Sequence, residues 1–129
     1  MKSSRRDERR RILVADDNDT LRHMITKVLE RAEFQVDSAQ DGQEVVEKCA
    51  RSSPYAVILL DMMMPKLTGE QVISHFREHA PQLLKRIVVM TAAVTRTASD
   101  ALDPICAVIT KPFDIHQLVR VVNECASVA

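Results

Sequence analysis

Four stretches of unbroken hydrophobic residues each run into a polar residue able to do chemistry, and this arrangement constrains the chain more than any other feature. Ile12-Leu13-Val14-Ala15 runs into Asp16-Asp17, Ala56-Val57-Ile58-Leu59-Leu60 into Asp61, and Ile87-Val88-Val89-Met90 into Thr91. Ala107-Val108-Ile109 stops just short of Lys111. Apolar runs without alternation suit strands covered on both faces, as in a parallel sheet between two helical layers. If the four runs are neighbouring parallel strands, their terminal residues converge on the carboxyl edge, where open α/β sheets bind ligands.

Helical spacing fills the intervals. Leu21, Met24, Ile25, Val28, Leu29 and Ala32 recur on one helix face after Asn18-Asp19-Thr20, which can cap it. Phe34-Gln35-Val36 predicts a short strand. Asp41-Gly42 opens a helix with Val45, Val46, Cys49 and Ala50 inward, closed by Ser52-Ser53-Pro54. Pro65 and Gly69 punctuate a loop, and Val72, Ile73 and Phe76 mark a helix that Pro81 ends. Residues 95–104 suggest only a short polar helix, while Ile115, Leu118, Val119, Val122 and Cys125 give a clear closing one. The pattern is β-α five times. Right-handed crossovers then restrict the α/β topology to a doubly wound (βα)5 sandwich.

At 129 residues and 46% hydrophobic content the chain can bury one domain core. No apolar stretch approaches the roughly 20 residues of a membrane span, and the start, MKSSRRDERRR, has no apolar core of a secretory signal. Cys49, Cys106 and Cys125 are odd in number and far apart, so they are expected to be small buried hydrophobes in a reducing compartment. Net charge is zero, yet residues 1–11 hold six basic side chains against Asp7 and Glu8, leaving an acidic body. With 3% aromatics and no tryptophan there is little for base stacking. Residues 1–10 are therefore expected to be a solvated charged tail before a domain over 11–127, with no membrane contact and no direct nucleic-acid binding.

Three carboxylates drawn together repel and need a cation to stay ionised. Hard oxygen ligands with room for water suit Mg²⁺ rather than zinc. His75 and His79 lie four apart on a helix, but no carboxylate motif joins them, and they are expected to face solvent. Met64, before Pro65, is expected in the core. A metal-held aspartate can attack a phosphoryl group and form an aspartyl phosphate. In such a transfer the Lys111 ammonium and the Thr91 hydroxyl are suited to neutralise and hydrogen-bond the equatorial oxygens.

Asp16-Asp17, Asp61-Met62-Met63-Met64-Pro65 through Gly69, Thr91-Ala92 and Lys111-Pro112-Phe113, in this order, resemble the receiver domain of two-component response regulators over about residues 10–126. The resemblance implies a flavodoxin-like, five-stranded parallel sheet in order 2-1-3-4-5. Asp61 then matches the phosphoacceptor, served by a sensor histidine kinase or a histidine phosphotransfer protein. Asp16, Asp17, Asp61 and the backbone carbonyl of Met63 match the Mg²⁺ ligands, and Lys111 and Thr91 the catalytic lysine and switch hydroxyl. It further implies a cis Lys111-Pro112 bond, a cytoplasmic protein, a downstream protein target and a possible phosphorylation-dependent homodimer. Val108 stands at a second switch position, where many receivers carry an aromatic ring, so switching is expected to rest on reordering of residues 92–106. Met63 and Ala93 match positions flanking the hydrolytic water, and neither side chain can orient water, which implies slow loss of phosphate.

The chain ends about where such a fold ends, so a stand-alone receiver and the receiver part of a longer regulator are both expected forms. A small Mg²⁺-dependent phosphatase acting through an aspartyl phosphate is the alternative, although Met63 stands where such enzymes commonly carry a second acid. A nucleotide-binding module is disfavoured, because the only glycines are Gly42 and Gly69.

Overall fold

The computed structural model describes residues 10–51, 55–92 and 105–127. Its elements are β1 (Arg11–Ala15), α1 (Asp19–Arg31), β2 (Gln35–Ala39), α2 (Gly42–Arg51), β3 (Val57–Asp61), α3 (Gly69–His79), a 3-10 turn (Pro81–Arg86), β4 (Ile87–Thr91), β5 (Ala107–Thr110) and α4 (Ile115–Ser127). All strand pairs are parallel, in the order β2-β1-β3-β4-β5. The polar helix expected over residues 95–104 lies outside the described residues.

Strand alternation splits the apolar residues into two cores. Ile12, Val14, Val57, Leu59, Val88, Met90 and Ile109 pack with α1 and α4 on one face. Leu13, Ala15, Ile58, Leu60, Ile87 and Val89 pack with α2 and α3 on the other. Both faces being dry explains why these strands read as continuous apolar runs. At the edge, β2 does not: Gln35 is exposed while Val36, Asp37 and Ser38 are half-buried, so its strand signal is weak and its span differs from the expected 34–36.

Helix ends follow their capping residues. Asn18 accepts a hydrogen bond from the Leu21 N–H at 3.0 Å, and Thr68 forms a reciprocal capping box with Gln71. Some expected inward residues are not inward. Ala50 is exposed, Met24 lies at the border of α1's apolar stripe, and Ile115 sits on the first, less covered turn of α4. Met64 is buried, as expected.

The charged start is partly absorbed by the fold. Arg10 donates to the carbonyls of Ala32 (2.5 Å) and Glu33 (2.7 Å) at the end of α1 and lies over the Phe34 ring. Cations are favoured at such a helix end. Arg11 lies over the Tyr55 ring, 4.7 Å from its centroid. Arg10 therefore belongs to the folded body rather than to the tail.

The cysteine expectation is corrected. Cys106, just before β5, and Cys125, in the last turn of α4, form a disulfide with their Cα atoms 6.2 Å apart. Cys49 is free and half-buried. A pairing across 19 residues leaves no spacing signature in the sequence. It arises because α4 runs back along the strand that precedes it.

Asp37 ties the edge strand to its neighbours. It accepts from the Tyr55 hydroxyl (2.7 Å), the Lys48 ammonium (3.0 Å) and the Ser38 N–H (2.8 Å). Burial pushes its carboxyl pKa up, but the hydrogen bonds from Tyr55, Lys48 and Ser38 outweigh that and hold it below 3.8. A depressed folded pKa stabilises above the unfolded value and is lost as pH falls through the folded one. The side chain is 41% exposed, so screening limits its worth to about 1 kcal/mol. Asp37→Asn is expected to lower urea stability by about that amount at pH 7, with the gap to wild type closing below about pH 3.8; a gap constant from pH 7 to 3 would contradict the assignment.

Candidate functional site

Three strand ends deliver the site through the same alternation that builds the cores. Counting along β1, residues 12 and 14 face α1 and α4, which puts Asp16 next on that side. Along β3 the series is 57, 59 and Asp61; past β5 it is 109 and Lys111. Asp16 continues the β1–β2 ladder, its N–H donating to the Ala39 carbonyl at 3.2 Å. The Met62 N–H does the same toward Met90 at 3.1 Å, and the Lys111 N–H toward Thr91 at 2.7 Å. The three side chains are thus placed by backbone that is still sheet-like.

Carboxylate oxygens of Asp16, Asp17 and Asp61 lie within 4.8 Å of one another. Asp16 is fully buried, Asp61 nearly so, and Asp17 is exposed at the rim. The Lys111 ammonium stands 3.2 Å from Asp16 Oδ2 and 3.4 Å from Asp61 Oδ1. It bridges two acids that would otherwise only repel. Asp61 Oδ1 also accepts from the Met63 N–H at 3.2 Å. Among the described residues, both of these contacts fall on Oδ1, so the second oxygen keeps its lone pairs available. Burial, and then the charge of Asp16, push the Asp61 carboxyl pKa above its ordinary value, against the opposing pull of the Met63 N–H and Lys111.

Lys111-Pro112 is a cis peptide bond. Thr91 is half-buried at the end of β4, in register with Thr110. By alternation it falls on the opposite face from Asp61, the α3 side, with Val89 and Val108. Thr91 and Val108 thus share one face and the acids with Lys111 share the other. Val108 is half-exposed on the edge strand. Met63 is 75% exposed, and Ala93 lies outside the described residues, as does most of the 92–106 segment. His79 is exposed and His75 half-buried, their rings 4.6 Å apart, and neither joins the cluster.

The sequence reading missed two supports. Arg22 donates from Nη1 to the Asp16 carbonyl at 2.8 Å and from Nη2 to Asp19 at 2.5 Å, pinning the acidic turn from within α1. The Asp19–Arg22 spacing was visible, but the backbone contact was not. Gly69 donates to the Met62 carbonyl at 3.1 Å, closing the loop after Asp61. A Cβ there would stand 2.7 Å from Met62 Cα and 2.9 Å from the Asp61 carbonyl oxygen.

The donor set fits a hard divalent cation. Three carboxylates less one ammonium leave two uncompensated negative charges, all on oxygen and open to water at Asp17.

A doubly wound α/β domain with an acid cluster and a lysine at the β1/β3 switch point is the class that fold and site define. The chain matches the family model of the response regulator receiver domain over residues 12–123. It belongs to that family. The transcriptional regulatory protein SrrA of Staphylococcus aureus is 44% identical over 68 residues, which is 53% of this chain and 28% of that protein. The chain therefore matches less than a third of the length of these curated relatives. Among solved structures, the chemotaxis protein CheY4 of Vibrio cholerae is similar with a TM-score of 0.80 and 23% identity, over 89% of this chain and 97% of that one. The receiver domain of the Francisella response regulator 1452 has a TM-score of 0.78 and 25% identity, over 91% and 96%. The chain is a signalling domain of two-component systems, whose receivers interact with histidine kinases and downstream effectors, and the phosphatase alternative is not favoured.

Two outcomes test the geometry. Gly69→Ala is expected to cost about 1–3 kcal/mol, because the clash is with backbone that cannot rotate away; a melting temperature equal to wild type would contradict the close approach. For Asp61 the raised folded pKa means the protonated form is favoured by folding, a contribution present below 3.8 and lost as pH rises through the folded value. At pH 7, without divalent cation, the ionised group costs stability. Asp61→Asn is then expected to be more stable than wild type by on the order of 1 kcal/mol, and millimolar Mg²⁺ to stabilise wild type but not the variant. A less stable variant in metal-free urea titrations would mean that attraction to Lys111 outweighs burial and the Asp16 repulsion.

Proposed function

We propose that Asp61 is the phosphoacceptor of this receiver, taking a phosphoryl group from a sensor histidine kinase or a histidine phosphotransfer protein. The observation that carries this reading is the Lys111 ammonium bridging Asp16 and Asp61 at 3.2 and 3.4 Å. A second carboxylate beside the nucleophile makes sense where a cation binds, and a mobile point charge where phosphate oxygens arrive.

Asp16, Asp17, Asp61 and the backbone carbonyl of Met63 would hold Mg²⁺. When bound, the ion supplies positive charge against the phosphoryl oxygens. Asp61 attacks phosphorus through the oxygen that Met63 and Lys111 leave free. The new P–O bond forms as the P–N bond to the donor histidine breaks, and the imidazole nitrogen leaves with the electron pair. Lys111 follows one equatorial oxygen of the transferred group, and Thr91, on the other face of the sheet edge beforehand, turns toward another and donates its hydroxyl. The chain assists its own phosphorylation and dephosphorylation in this sense, without turning over a substrate. Met63, exposed beside the site and unable to orient water, favours slow loss of the phosphate.

The phosphoryl group, carrying roughly −1.5 to −2 where the carboxylate carried a single negative charge, biases the surface around residues 92–126, with Thr91 and Val108 as switch positions. The reading includes a cytoplasmic protein, a downstream protein target and a phosphorylation-dependent homodimer. The chain acts alone or as the receiver of a larger regulator.

Incubation with Mg²⁺ and a small phosphodonor, followed by intact mass measurement, is expected to show one phosphate adduct on wild type. Asp61→Asn is expected to show none, and Lys111→Ala an adduct whose switching response is reduced. An unmodified wild type, or a modified Asp61→Asn, would overturn the assignment. An adduct that vanishes as fast as it forms would contradict the slow loss.

A further inference from the structure

Cys106 and Cys125 take no part in the chemistry above, yet they occupy a position with leverage. The Cys106 N–H donates to the Ile87 carbonyl at 2.9 Å, extending the β4–β5 ladder by one residue. Cys125 lies in the last turn of α4, 2% exposed, in the core shared with Ile109, Leu118 and Val122. The loop that their bond closes contains all of β5, Lys111 and nearly all of α4. In the strand order β5 is an edge, paired only to β4 among the described strands. An edge strand, bonded on one side only, is among the parts of a fold that open most readily.

We propose that Cys106 and Cys125 are a reversible oxidation site, a dithiol that exchanges with a low-molecular-weight disulfide and, when closed, clamps α4 to the β4–β5 edge. It stands independently of the phosphoacceptor reading. The Cys106 thiolate attacks one sulfur of the small disulfide and expels the other as a thiolate. The Cys125 thiolate then attacks the Cys106 sulfur and expels the second. Two cysteine thiols are oxidised by two electrons, the small disulfide is reduced to two thiols, and the two cysteine protons end on them. Access sets the order, because exchange occurs at the sulfur a partner can reach. Cys106 is half-buried and Cys125 is enclosed. In a reducing compartment such pairs are transient and regulatory rather than permanent.

The third cysteine cannot confuse the exchange. Cys49 packs with the core on the α2–α3 face, so the sheet separates it from the pair. Burial also pushes its thiol up to about 11, which keeps it un-ionised at neutral pH. Closure touches none of Asp16, Asp17 or Asp61; of the charged site residues, Lys111 alone lies within the loop it closes.

The full chain is equilibrated with reduced dithiothreitol or with oxidised glutathione, acid-quenched, and alkylated with N-ethylmaleimide after denaturation. Intact mass is expected to show three alkylated cysteines when reduced and one when oxidised. Cys49→Ser is expected to give two and none, and Cys125→Ala no intramolecular closure. Amide exchange over residues 105–127 is expected to slow at least tenfold in the oxidised form, with β1–β3 changing much less. Three free thiols after oxidation, glutathione adducts without closure, a covalent dimer, or equal exchange in the two forms would each overturn the proposal. A parallel phosphodonor assay keeps this outcome separate from that of Asp61.

Discussion

Asp16 and Asp61 share one small volume because two neighbouring strands end in phase, and the contact that makes this tolerable is the Lys111 ammonium between them. At an effective dielectric constant of about 20, one charge contact near 3.3 Å is worth on the order of 5 kcal/mol before desolvation. Two attractions to Lys111 therefore stand against the Asp16–Asp61 repulsion and the cost of burying both acids. The balance is narrow, and the raised pKa of Asp61 places it on the unfavourable side for the ionised form. With the exposed Asp17 added, the site carries two negative charges in excess, which a divalent cation would match. The rest of the molecule serves to hold this arrangement in register: the β1–β3 ladder, the Arg22 contact to the Asp16 carbonyl, and the Gly69 closure behind Asp61.

Most of this was legible because strand period and hydrophobic burial act locally. Continuous runs at β1, β3 and β4 announce two dry faces, and the residue ending each run is read directly. β2 was harder, since an edge strand with Asp37 and Ser38 half-buried lacks that signal. Side-chain parity was also implicit in the numbering: 12, 14, 16 and 57, 59, 61 fall together, whereas 87, 89, 91 fall opposite. Contacts that depend on where α1 or α4 swings in space were not legible. The Arg22 guanidinium on the Asp16 carbonyl and the Cys106–Cys125 pairing are of this kind, since both join residues whose separation carries no motif. Arg10 was misplaced for the same reason. Its charge read as tail, while its planar head finds the open carbonyls at the end of α1.

On the proposed reading, the opposite parity of Thr91 and Lys111 separates two routes out of the site. Thr91 shares the α3-side face with Val108, a small half-exposed side chain without the ring that many receivers place there. A valine fills less space than such a ring and has no hydroxyl to follow Thr91 along that face. Lys111 offers the stiffer connection. Its N–H is bonded to the Thr91 carbonyl, its side chain spans both buried acids, and the chain runs on within a few residues into α4.

On the proposed reading, phosphate on Asp61 offers Lys111 oxygens of higher charge than the carboxylate it leaves. The ammonium is then drawn away from Asp16, and the strain falls on the short segment between β5 and α4 rather than on β1 or β3, which are held on both sides. That segment lies inside the loop closed by Cys106 and Cys125. A clamp on this loop resists the same displacement that the phosphate drives, so the two modifications act on one mechanical element from opposite ends. The weak aromatic route makes that element carry more of the signal here than in a receiver with a ring at position 108.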